Sequence, residues 1–194
     1  MRPELFVAAA LAMGCGKKLD VQNHYYSLVL EAADQALPPP PTDPRARIDL
    51  VAVHLPDFLQ SRSLVLQVNS NEVIHARHHH WGEPLDLAIL KVLARDLSTA
   101  MPAYEVVPGP GREADCALEL ELDRFHASNG ARVLVSGRFL YTQGGTVTRR
   151  EFDVSQVQQA DGYTGAVSGM RGALAGLSAE LVPVLSGCAP AATE

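Results

Sequence analysis

Between Cys116 and Ser155 the chain spells three strands in succession, and no other stretch restricts the fold as much. In CALELELDRF (116–125) leucines alternate with glutamates, the period-two signature of a strand with one face buried and the other in water. ARVLVSGRFLYTQ (131–143) and GTVTRREFDVS (145–155) follow, and Gly144 with Gly145 between them forms a hairpin turn signal. The buried face of such a sheet needs a hydrophobic cover, and two segments offer one. Leu85, Ala88, Ile89, Val92, Leu93 and Leu97 recur at steps of three and four, with Asp86, Lys91, Arg95 and Asp96 between them and Pro84 suited to the first turn. Val167, Met170, Ala173, Leu174, Leu177 and Leu181 mark a second helix. Gly165, Gly169, Gly172 and Gly176 each cost that helix about 1 kcal/mol against alanine, which points to a stripe of small residues kept for close packing.

The first half of the chain reads as four more strands and a fifth after the first helix. HYYSLVL (24–30) is rich in aromatic and β-branched residues, and ADQALPPPPTDPRAR (33–47) then stops it with five prolines. RIDLVAVHLP (47–56) is a near-continuous apolar run, as expected of a strand covered on both faces. SLVLQV (63–68), VIHAR (73–77) and AYEVVP (103–108) complete the set, giving the order β-β-β-β-α-β-β-β-β-α. The fold class is therefore α+β: a mixed, largely antiparallel sheet with two long helices packed on one face. With 194 residues, 47% of them hydrophobic, the chain supports one core and one domain, placed at 24–188 with a short tail at 189–194.

A formal charge of −6 provides no basic footprint for a phosphate backbone, so nucleic acid is not an expected partner. Nucleophile elbows, phosphate loops and HExxH motifs are absent, and no enzyme activity or cofactor is expected. The histidines are the one arguable metal site. If ARHHHWGEPL (76–85) is extended, His78 and His80 share a face and His79 takes the other. Two ligands on a face fall one short of a catalytic zinc site, and Glu83 or Asp86 could add a third only if the chain folds back. A metal-dependent enzyme using His75, His78, His79 and His80 is thus the weaker alternative to a solvated turn that binds metal adventitiously, and no metal is expected.

The N-terminus carries a different signal. MRPELFVAAALAMGC leads from Arg2 through an apolar run (Leu5 to Met13) to Gly14 and Cys15, which is too short to span a bilayer but has the length of a signal-peptide core. The ending resembles a bacterial lipobox, with Ala12 where leucine is usual, so residues 1–14 are expected to be a lipoprotein signal peptide, Cys15 the lipidated residue and 15–23 a tether. A conventional secretory signal or a hydrophobic helix is the alternative. Gly16, in place of Asp, resembles lipoproteins forwarded to the outer membrane. Export would place Cys116 and Cys188 in an oxidising compartment, where they are candidates for a disulfide closing a long loop.

The YYSL strand, the run IDLVAVHLPDFLQSRSLVLQ and HHHWGEPL leading into DLAILKVLARDL together resemble the ABC-type transport auxiliary lipoprotein family. Phe58 stands where tyrosine is common in that family, His80 where arginine usually precedes the tryptophan, and Gly82 where alanine is usual. The resemblance implies a fold similar to the N-terminal domain of TolB and an outer-membrane-anchored, periplasm-facing lipoprotein. It also implies work beside an ABC transporter with an MCE-domain partner, moving lipids or other hydrophobic compounds by docking rather than catalysis. Assembly into a homo-oligomer stays open, as does a role as carrier of a lipid or small hydrophobic ligand. His80, Trp81, Glu83 and Pro84 are the candidate partner or ligand surface. The alternative there is that Trp81 caps the core and Glu83 the helix N-terminus.

Overall fold

The alternation of leucine and glutamate builds the spine of an eight-stranded sheet. In this computed structural model residues 22–29, 38–111, 114–129 and 131–190 are described; Cys15 and the expected signal peptide (1–14) lie outside them. The strands are β1 (His24–Tyr26), β2 (Arg47–His54), β3 (Ser63–Asn69), β4 (Glu72–Trp81), β5 (Glu105–Pro108), β6 (Cys116–Ser128), β7 (Arg132–Gln143) and β8 (Thr146–Val157). The helices are α1 (Leu85–Ala100) and α2 (Gly162–Leu185), with a single 3-10 turn at Asp57–Leu59 among the described residues. The order is the one the sequence spells.

The long ladders are antiparallel: β6 with β7, β7 with β8, and β3 with β4. Four shorter contacts are parallel, because β6 pairs along its N-terminal half with β2 and at its far end with β3, while β2 also holds β5 and β4 holds β1. The apolar alternation in β6 changes phase at Asp123: Leu118, Leu120 and Leu122 are buried, and then Phe125 and Ala127. A bulge between Leu122 and Arg124 absorbs the surplus residue, so both sets face the same core. Gly137 lies opposite, where a Cβ would stand 2.1 Å from the Glu121 carbonyl oxygen.

Both helices pack on that core. α1 buries Leu85, Ala88, Ile89, Val92, Leu93 and Leu97, the stripe its periodicity marks. α2 lies low over β7 and β8 because its small residues leave room: a Cβ on Gly169 would come within 2.7 Å of a Val133 methyl, and one on Gly165 within 1.8 Å of the Ala160 carbonyl oxygen. Arg171 of α2 reaches both carboxylate oxygens of Asp96 on α1, at 2.9 and 2.6 Å, a bidentate clamp between the helices. At the far end of α2 the Tyr104 hydroxyl donates to the Ser186 carbonyl oxygen at 2.7 Å. Cys188 is joined by a disulfide to Cys116 at the start of β6, with the Cα atoms 6.1 Å apart.

Two elements differ from the sequence expectation. β1 ends at Tyr26, short of the expected strand, because among the described residues of that stretch only His24, Tyr25 and Tyr26 find partners, on His79, His80 and Trp81. β4 continues through the histidines to Trp81, so the expected solvated turn is strand. The physical reason is the same for both: β1 adds in parallel to the end of β4 and supplies that segment with a neighbour.

Candidate functional site

His78, His79, His80, Trp81, Glu83 and Pro84 converge on one corner, where β1, the end of β4, the start of α1 and the start of α2 meet. β4 reaches it through an irregular pairing: Val65 of β3 faces His75 and Ser63 faces His80, so two steps along β3 match five along β4. The surplus residues turn β4 away from β3 and towards β1. At its end the Trp81 N–H donates to the Arg62 carbonyl oxygen and the Gly82 N–H to the Tyr26 carbonyl oxygen, both at 2.7 Å.

His79 stands at the centre of this corner. Its ring stacks on Tyr163 of α2 with centroids 3.6 Å apart and on His24 at 5.0 Å, while Nδ1 lies 2.8 Å from the Tyr26 hydroxyl. Burial lowers the His79 pKa below its ordinary value, and the neighbouring His24, His78 and His80 push it the same way. Burial also raises the Tyr26 phenol, opposed by its side-chain hydrogen bond with Thr164. A phenol donating to a neutral imidazole satisfies both shifts. His78 Nδ1 meets Asn23 at 3.2 Å, and His80 lies 3.4 Å from the Ser63 hydroxyl and beside Tyr25. Among the described residues no three His, Cys, Asp or Glu side chains are grouped as metal ligands, and His75 lies apart and exposed, opposite Val65.

Trp81 is 3% exposed and its indole packs at a tilt on Phe125, which takes it out of the contact surface expected of it and makes it the floor of the corner. Glu83 caps no helix N–H; its carboxylate holds Lys91 Nζ at 2.6 Å. Pro84 is exposed and directly precedes α1, accepting the Ala88 N–H at 3.0 Å. The exposed side of the corner is made by Tyr25, 63% exposed, with half-buried His80 and Glu83. Tyr163 and Thr164, which close the corner from α2, were not marked by any spacing in the sequence. Tyr163 also walls a groove of about 290 Å³ between the start of α2 and the ends of β3 and β6, lined by Leu66, Ala127, Asn129 and Gln158. The sheet face turned away from the helices is charge-paired, with Arg124 on Asp153 at 2.9 Å and Arg138 on Glu121.

Comparison with known proteins adds a family. The model of the family described as "ABC-type transport auxiliary lipoprotein component" matches residues 26–182. The intermembrane transport lipoprotein PqiC of Escherichia coli K12 is 26% identical over 166 residues, covering 86% of this chain and 87% of that protein. Among solved structures, one of an uncharacterized protein aligns with a TM-score of 0.73 at 25% identity, over 84% of this chain and 99% of the other. A Xanthomonas campestris protein shares the fold with a TM-score of 0.59 at 13% identity, over 76% and 88% of the two chains.

Proposed function

The chain belongs to the family of ABC-type transport auxiliary lipoprotein components, and on that premise we propose that it serves an intermembrane transport system as a tethered docking subunit. Acylated Cys15 holds it at the periplasmic face of the outer membrane. The folded domain contacts an MCE-domain partner, and the system moves lipids or other hydrophobic compounds. The role is binding, with no chemical step. The observation that carries this reading is the extent of the family match, which runs from β1 almost to the end of α2 and so takes in both the corner and the core beneath it.

The short tether supports it as well. Nine residue steps separate Cys15 from His24, and a fully extended chain spans about 3.3–3.6 Å per residue, so β1 stays within roughly 30 Å of the acylated cysteine. The corner is thereby kept within that distance of the membrane. Tyr25, His80, Glu83 and Pro84 form its contact surface, and Trp81 supports them from beneath.

Membrane fractionation of the wild-type chain and Cys15→Ala in the native host, with capture of the MCE-domain protein, tests both halves of the reading. The wild type is expected in the outer-membrane fraction together with that partner, and Cys15→Ala in the soluble periplasm. A Cys15→Ala protein that fractionates as the wild type does refutes the anchor, and a wild-type protein that captures no MCE-domain protein refutes the docking role.

A further inference from the structure

A second groove, of about 280 Å³, runs between α1 and β5, walled by Val29, Val92, Ala94, Val106 and Pro108. Its lining is apolar except for Lys91, Ser98 and Arg95. Arg95 is anomalous. Its Nη2 nitrogen is buried with no hydrogen-bond partner, and among the described residues no ion pair includes it. Among the described residues Glu83 is held by Lys91, Asp96 by Arg171 and Glu105 by Arg47. A buried donor without an acceptor is costly, more so on a charged group, and a bound anion removes that cost.

An apolar trough edged by an arginine that takes part in no ion pair among the described residues has the chemistry of a site for an acidic amphiphile, and we propose that it binds a single-chain fatty carboxylate, the carboxylate on Arg95 and the chain along Val29, Val92 and Val106. The planar fork of arginine matches the two oxygens of a carboxylate. Size selects the occupant: about 280 Å³ is at the lower limit of small-molecule sites, which start near 300 Å³, and so takes one acyl chain rather than the two of a membrane phospholipid. The site stands apart from the docking role, since none of its lining residues belongs to the proposed contact surface.

Calorimetric titration of the delipidated full chain with dodecanoate, dodecanol and dodecyl phosphate tests the assignment. Dodecanoate is expected to bind one to one and at least about tenfold more tightly than dodecanol. Arg95→Met keeps the apolar stem and is expected to bring acid and alcohol to the same affinity. Val106→Trp fills the trough and is expected to abolish binding of both. Equal affinity of acid and alcohol for the wild type overturns the proposal without recourse to any variant, as does a preference for the acid that survives in folded Arg95→Met. Tighter binding of dodecyl phosphate than of dodecanoate overturns the choice of carboxylate.

Discussion

Removing the Cys116–Cys188 crosslink lowers the melting temperature by an amount that follows from chain length. The two cysteines are 72 residues apart in sequence, so the bond closes β6, β7, β8 and α2 in their entirety into one loop. If the crosslink acts by restricting the unfolded chain, a loop of that size is worth about 4.4 kcal/mol at 25 °C. For a chain of this size each kcal/mol moves the melting temperature by about 2–4 °C, which gives a loss of roughly 9–18 °C. The assay is a thermal melt, followed by circular dichroism, of oxidised protein and of protein unfolded, reduced and refolded under reductant. This comparison leaves every side chain in place. Both cysteines are buried, so reductant added to the folded protein is expected to act only as fast as the end of α2 opens. A difference under 2 °C between the two forms refutes the loop argument, and maleimide labelling of both cysteines in denatured, unreduced protein refutes the bond itself.

Two further outcomes follow from the corner. Trp81→Ala removes a buried indole and is expected to cost about 3–5 kcal/mol in urea unfolding; a change under 1 kcal/mol contradicts its place in the core. The folded chain holds His79 and His126 below their ordinary 6.5, chiefly by burial, so the unfolded state binds more protons on acidification. Their contribution to stability is complete above about pH 7 and falls as pH drops below 6.5. Melts from pH 7.5 to 5 should show that slope, and it should flatten in His79→Phe, which retains the ring stack; an unchanged slope in that variant removes His79 as a source.

Regular periodicity made most of the fold legible. The stripe on α1 and the alternation in β6 and β7 are local signals, and each survives in the structure because burial acts on the same residues that set the pattern. The glycines of α2 read as a packing stripe, and Gly169 against Val133 shows the approach they permit. The corner was legible in part. WGEPL marked the turn into α1, but nothing local says that HHH is strand, since that depends on β1 arriving in parallel from more than fifty residues upstream. Tyr163 meets His79 across an even greater separation, through the placement of α2 on the sheet. Trp81 has the composition of an interface anchor, and only its contact with Phe125 shows that it belongs to the core.

The manner in which β1 joins the sheet has a mechanical consequence. Any tension on the N-terminal segment reaches the folded domain first through His24, Tyr25 and Tyr26, three residues paired in parallel with the end of β4. Force along the strand strains those pairs together in shear instead of unzipping them one after another. Beyond them the pull passes to Leu28, which is fully buried in the core. Under the proposed tethering, a pull on this segment is therefore borne by the β1–β4 pairs and the buried Leu28 while the rest of the sheet keeps its shape.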